Sequence, residues 1–230
     1  MIGIICALKI EVDGLKALMD NPEIMKKAGL EFTSGKISDK DVVLLECGIG
    51  KVNAAVGTQI MIDSYNPDVI INSGVAGSLS KDLIVGDIVV SDKCVEHDIN
   101  CTAIDEPRGQ IWFTDEKRID IPADKDVYEK LAECCSNLGA TVRIGTIATG
   151  DMFVSHVHQR ETIAYEFGAL CCEMEGAAVG HVCYMNKIPF AIVRAISDDL
   201  KFHKGDNFEE FKQLAADKSI KAMKKFIAAD

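Results

Sequence analysis

Two carboxylate clusters and one arginine are the residues of this 230-residue chain best suited to chemistry. The stretch Cys172-Glu173-Met174-Glu175-Gly176 sets two acids between an apolar run and a segment of small residues. Strand alternation would put Glu173 and Glu175 on one face, in one environment, if the strand ran on. Ile196-Ser197-Asp198-Asp199 follows the apolar run FAIVRAI, which carries Arg194 inside it. Charges seldom sit so near a core unless they are paired or functional. The plain readings are solvated strand ends and a structural salt bridge for Arg194. The sharper one is a substrate site with several strand-end carboxylates, whose proton affinities burial and neighbours can tune for acid–base work.

Other motifs carry less. CGIGKV lacks the first glycine and the Ser/Thr of a P-loop: Leu45 and Val52 stand there. It also lacks the third glycine of a dinucleotide fingerprint, where Asn53 stands. That leaves a tight strand-to-helix turn, or backbone approach to a small ligand at a helix N-terminus. Gly74 and Gly77 in NSGVAGSL follow an apolar strand and read as a glycine-rich turn at a strand exit, either plain or allowing close approach to a ligand. His97-Asp98 and His156-Val157-His158 have no zinc-like spacing with the cysteines. They read as surface or loop histidines, and no metal is expected.

The elements around these residues alternate. Apolar runs at 1–6, 41–47, 68–72, 85–91, 141–149, 169–173 and 190–196 read as strands, and 30–37 pairs with 41–47 around Ser38-Asp39-Lys40. Helical patterns occupy 9–20 (ended by Asn21-Pro22), 48–65, 126–138, 159–167 and 175–186. Phe208, Phe211, Leu214, Ile220, Met223 and Ile227 mark a long last helix. Residues 97–124 show no period and read as a long loop or irregular excursion. Continuous apolar strands alternating with helices predict a mostly parallel α/β sheet covered on both faces, as one domain over residues 1–230. Ligands in such sheets sit beyond the carboxyl ends of strands, where both acid clusters fall.

Composition narrows the partners. Apolar residues are 48% and charged residues 27%, with a net charge of −11. That balance suits a soluble globular chain and opposes general nucleic-acid binding. No run approaches the ~20 apolar residues of a membrane span, and no signal peptide is visible. The nine cysteines sit mostly in apolar runs without a Cys-x-x-Cys. They read as core filler in a reducing, cytoplasmic compartment.

The pieces IGIICALKIEV, ECGIGKVNAA, DVIINSGVAGSL, VGDIVVSD, HDINCTA, TGDMFV, CEMEGAAVGHVC and PFAIVRAISD occur in order over nearly the whole chain. As a set they resemble the bacterial 5′-methylthioadenosine/S-adenosylhomocysteine nucleosidases, within the purine nucleoside and uridine phosphorylase superfamily. The resemblance implies a single α/β domain of nucleoside phosphorylase-like fold, with a central mixed, partly closed β-sheet flanked by helices. It implies hydrolysis of the N-glycosidic bond of adenine nucleosides, no cofactor, and a homodimer. By that resemblance Glu11 activates the attacking water, Arg194 helps orient it, and Asp198 protonates the leaving adenine with support from Ser197. Glu175 holds the ribose hydroxyls and Met174 packs on the sugar. Phe153 stacks on adenine and Val154 meets it through its backbone. Phe208 covers the 5′ substituent, while Cys101, Ile104 and Trp112 come from the partner chain to line the 5′-alkylthio pocket. Val75 departs from relatives that carry a water-binding Ser there.

The alternatives are a phosphate-dependent phosphorylase, an aminodeoxyfutalosine-type nucleosidase and a non-catalytic nucleoside-binding protein. Superfamily phosphorylases grip phosphate with an Arg-x-Gly-Ser stretch; here it reads Asn72-Ser73-Gly74-Val75. A phosphate dianion needs charge-assisted donors, so hydrolysis is expected. A mere binder would have no need of Glu11 and Asp198 together.

Overall fold

The computed structural model describes residues 1–136, 138–200 and 208–229, with the side chains of 208–212 outside that description. The first strand, β1 (Ile2–Cys6), leads into α1 (Lys9–Lys16). An antiparallel meander follows: β2 (Asp20–Lys27), β3 (Leu30–Ile37) and β4 (Lys40–Glu46). Next come α2 (Lys51–Tyr65), β5 (Val69–Ser78) and β6 (Ile88–Glu96). The excursion after β6 holds a 3₁₀ turn at Thr102–Ile104, the short hairpin β7 (Ile111–Trp112) and β8 (Lys117–Arg118), and β9 (Asp120–Pro122). The chain ends with α3 (Lys125–Ser136), β10 (Val142–Thr149), α4 (Val157–Phe167), β11 (Ala169–Glu173), α5 (Gly176–Asn186), β12 (Phe190–Asp198) and α6 (Phe208–Ala228).

The strands form one large sheet in the order β11-β10-β6-β12-β5-β1-β4-β3-β2. β11 also pairs with β5, so five of its strands close on themselves. Pairings around β1, β10 and between β12 and β5 are parallel, while β12 with β6 and β11 with β5 are antiparallel. The sheet is therefore mixed and partly closed, rather than mostly parallel as periodicity alone predicts. Apolar runs cannot distinguish the two, because closure buries an antiparallel strand on both faces just as helices bury a parallel one. In β1, alternation sends Ile5 to one apolar cluster and Ile4 and Cys6 to the other.

Two local expectations change. The helix predicted to Asp20 ends at Lys16, and Asp20–Lys27 is an edge strand paired with β3. Its residues are almost all exposed, so it shows no apolar alternation, and Pro22 sits where the register slips between Asp20 and Glu23. The glycine-rich stretch 73–78 is no turn: β5 runs straight through it. His97 is not a surface residue either, being fully buried with neither ring nitrogen hydrogen-bonded. His156 and His158 are exposed. All nine cysteines are free, seven of them buried.

Small residues bring α5 onto the sheet. A Cβ on Gly180 would stand 2.7 Å from a Phe190 ring carbon and 2.9 Å from Cys94 Sγ. Neither neighbour has space to yield in a close-packed interior. Gly180→Val is therefore expected to destabilise the fold by about 1–3 kcal/mol, read as a lower urea midpoint at fixed protein concentration.

Candidate active site

Arg194 stands near the end of β12 with 1% of its surface exposed. Its Nη2 donates to Glu173 at the end of β11 and to the Asn72 side-chain oxygen of β5, and lies 3.7 Å from Glu175 Oε2. Asn72 in turn donates from its amide to the Ile5 carbonyl, 3.0 Å away. Burial alone would strip the guanidinium of its proton more readily. The carboxylates of Glu173, Glu175 and Glu11 outweigh that and raise its proton affinity. β5 makes room for this group through Gly74, where a Cβ would lie 2.1 Å from Arg194 Nη1 and 3.0 Å from Glu11 Oε1.

Glu11 sits in the first turn of α1 and is 2% exposed. Its Oε2 accepts from the backbone N–H groups of Ala7 (3.2 Å) and Leu8 (3.0 Å), and its Oε1 from Val75 N–H (3.2 Å). Burial pushes its pKa above the ordinary carboxylate value. Arg194 and the three N–H donors pull it back, and burial prevails. Val75 thus touches the proposed base through its backbone, whatever its side chain.

Glu173 and Glu175 share an environment, but not by strand alternation. β11 ends at Glu173, and Glu175 is the residue preceding α5, with φ −133° and ψ −35°. Glu173 Oε2 accepts the N–H groups of Glu175 (2.9 Å) and Gly176 (2.7 Å), closing the start of that helix. Glu175 Oε1 accepts Gly50 N–H at 2.9 Å, and Asp151 Oδ1 accepts Lys51 N–H at 2.8 Å. The CGIGKV turn thus offers its helix N-terminus to two carboxylates of the same chain. Gly50 has φ +100°, a conformation that glycine adopts freely.

Asp198 ends β12 and is 2% exposed. Its Oδ1 accepts the Ser197 hydroxyl at 2.9 Å. Its Oδ2 accepts Nη2 of Arg160, a buried residue of α4. Gly77 clears this corner, since a Cβ there would lie 2.9 Å from Asp198 Oδ2. Sequence reasoning missed Arg160 and the pairing of Glu173 with Arg194. The only signal for Arg160 is a charge among the residues that α4 turns inward, and the helix is too weakly amphipathic to flag it.

These groups meet at one cavity of 220 Å³. Of the expected site residues, Glu11, Val75, Phe153, Val154, Met174, Glu175, Arg194, Ser197 and Asp198 all line it. Leu8, Ile49, Met152 and Cys172 add apolar lining that the motifs did not point to. Phe153 is 57% exposed at the wall, whereas Val154 is buried. Cys101, Ile104 and Trp112 do not line this chain's cavity, and Ile104 and Trp112 are exposed. Phe208 opens α6, but its side chain lies outside the described residues. Among the described residues no group of three or more His, Cys, Asp or Glu is placed to hold a metal ion. No helix among them is long and apolar enough to cross a membrane.

A closed mixed sheet with carboxylates and an arginine converging on an apolar cavity at its strand ends is the architecture of the phosphorylase superfamily, whose family model matches residues 1–228. A 5′-methylthioadenosine/S-adenosylhomocysteine nucleosidase of Staphylococcus aureus is 36% identical, with 99% of each chain covered. The crystal structure of that nucleosidase from Neisseria meningitidis, in complex with methylthio-immucillin-A, superposes with a TM-score of 0.91 at 32% identity, covering 99% of this chain and 98% of the other. The futalosine hydrolase of Helicobacter pylori is also similar, with a TM-score of 0.90 at 31% identity and coverage of 98% and 96%. The chain belongs to the phosphorylase superfamily and, within it, to the family of the 5′-methylthioadenosine/S-adenosylhomocysteine nucleosidases.

Glu175 gives the site a pH signature. Burial, then the Glu173 charge, push its pKa from 4.5 up to about 7 against the pull of Arg194 and Gly50 N–H. A carboxyl with a raised folded pKa favours folding while it is protonated, and that advantage fades as pH rises from its unfolded value through its folded one. Ionised Glu175 therefore destabilises the fold as pH rises through about 7. Glu175→Gln is expected to be more stable than the wild type at pH 8 and to lose less stability between pH 5 and 8, measured by urea unfolding across pH.

Proposed function

We propose that the protein is a nucleosidase that hydrolyses the N-glycosidic bond of 5′-methylthioadenosine and S-adenosylhomocysteine, and of 5′-deoxyadenosine with them. The products are adenine and the 5-substituted ribose. The observation that carries this reading is the convergence of Glu11, Glu175 and Asp198 on one apolar cavity whose lining cation, Arg194, is already paired.

The chemistry follows from where charge develops. As the bond to adenine breaks, positive charge grows on the ribose and the electron pair passes to the base. Asp198 gives its proton to the adenine ring, making it a better leaving group. Glu175 holds the ribose hydroxyls, and its negative charge favours the oxocarbenium ion. Water adds to the ribose, and Glu11 takes its proton, for which a raised pKa is an advantage. Arg194 helps to orient that water. Phe153 stacks on the adenine, Val154 meets its edge, Met174 packs on the sugar and Phe208 covers the 5′ substituent. Gly74 lies beside Glu11 and Gly77 beside Asp198.

Hydrolysis is favoured over phosphorolysis because the position where phosphorylases place an arginine is Asn72, fully buried and bonded to Arg194 and Ile5. Glu11 at the water position would also repel phosphate. The similarity to futalosine hydrolase makes a futalosine-type nucleoside the second substrate to test.

The reading extends to a homodimer, in which the partner's Cys101, Ile104 and Trp112 close the 5′ pocket. Supporting this, Ile104 is 65% and Trp112 47% exposed, away from their own chain's cavity. It places the whole chain, as one domain, in the cytoplasm and in methionine salvage, and its free buried cysteines suit a reducing compartment.

Adenine release from 5′-methylthioadenosine is expected at equal rates in phosphate-free and phosphate-containing buffer, with free methylthioribose as the sugar product. Release only with phosphate, giving the sugar 1-phosphate, would make the protein a phosphorylase. Asp198→Asn is expected to lose about a hundred- to ten-thousandfold in turnover while still binding nucleoside, and near-normal turnover would remove Asp198 from its role. Sedimentation equilibrium is expected to give a dimer, and a fully active monomer would refute the shared pocket.

A further inference from the structure

Behind Asp198 lies a cation that no step above uses. Arg160 is 3% exposed and does not line the cavity. Every nitrogen of its guanidinium is engaged. Nη2 donates to Asp198 Oδ2, Nη1 to the carbonyls of Asp199 (3.1 Å) and Ser78 (3.4 Å), and Nε to the Val154 carbonyl (3.0 Å). One side chain of α4 therefore ties the ends of β5 and β12 to the segment that carries Phe153 and Val154.

Stability alone is a poor account of this arrangement. Where Asp198 is ionised, its pair with Arg160 contributes little net stability, because stripping water from two charges offsets their attraction, and where it is protonated there is no pair to stabilise. The charge of Arg160 matters more in the reaction. When the C–N bond breaks and its electrons pass to the adenine, the proton of Asp198 moves to a ring nitrogen of the base. The Asp198 carboxyl is then left as a carboxylate. Arg160 touches the oxygen on which that charge appears, and charge-assisted bonds of this kind strengthen as the charge develops. Only an interaction stronger in the transition state than in the ground state accelerates the step. The same guanidinium holds the Val154 carbonyl, so the adenine edge and the acid are kept in register.

We propose that Arg160 is a positioning residue for leaving-group protonation, neutralising the carboxylate that Asp198 becomes and locking it in register with Val154. This rests on Asp198 being the acid.

The test is a double-mutant cycle on adenine release from 5′-methylthioadenosine, with wild type, Arg160→Gln, Asp198→Asn and the double variant. Arg160→Gln is expected to lower kcat by about tenfold to a hundredfold and to leave KM within about threefold. In the Asp198→Asn background the same substitution is expected to change kcat by less than about twofold. An equal loss in both backgrounds, or a raised KM with unchanged kcat, overturns the proposal. Should Arg160→Gln fail to fold, Arg160→Met goes through the same cycle and is read the same way. If Asp198→Asn alone keeps near-normal turnover, the acid itself is misassigned, a result distinct from failure of the Arg160 role.

Discussion

The site depends on burying one guanidinium. Arg194 sits in the closed part of the sheet, and its desolvation is tolerable only because carboxylates and an amide meet it from two strands and a turn. Glu173 comes from β11, Asn72 from β5, and Glu175 from the turn into α5. Each is held in turn: Glu173 by two backbone N–H groups, Asn72 by the Ile5 carbonyl, Glu175 by Gly50. Removing Glu173 or Asn72 would leave Arg194 without a hydrogen-bonded partner, so these three residues work as a unit.

Crowding acids around that cation sets up the chemistry. Glu11 and Glu175 both lie near Arg194, yet burial leaves each with more proton affinity than an ordinary carboxylate, and the neighbouring acids add to it at Glu175. A fold optimised for stability alone would not bury two such carboxyls in an apolar cavity. At the other end of the cavity Asp198 has a separate cation, Arg160. The two ends therefore hold their carboxylates with different counter-charges.

β5 joins the two ends. It pairs with β1, β12 and β11, and its two glycines stand beside Arg194 with Glu11 and beside Asp198. Missing Cβ atoms there make room for side chains, not for a turn. The closure of β11 on β5 brings Glu173 across to Arg194, and an open sheet would leave those two strands far apart.

Much was legible in the sequence because it is local. Apolar runs located most strands, and the placement of Glu175, Arg194 and Asp198 at the ends of apolar segments flagged them without any partner in view. The order of motifs across the chain identified Glu11, Phe153 and Val154 as members of the same site. The rest is pairing at long range. Sequence could not show that an exposed, proline-bearing segment makes edge strand β2, because its stability comes from hydrogen bonds to β3 and not from burial. Nor could it show that Gly74 and Gly77 lie in a strand, because the side chains that demand them arrive from β12 and α1. Arg160 gave almost no signal, and Glu173 stood out only as an acid at a strand end, with no partner in view. Only the folded chain brings Arg160 to Asp198, 38 residues away, and Glu173 to Arg194, 21 residues away. Residue type sets what each group can do, whereas the energy of a buried charge depends on which opposite charge the fold places beside it.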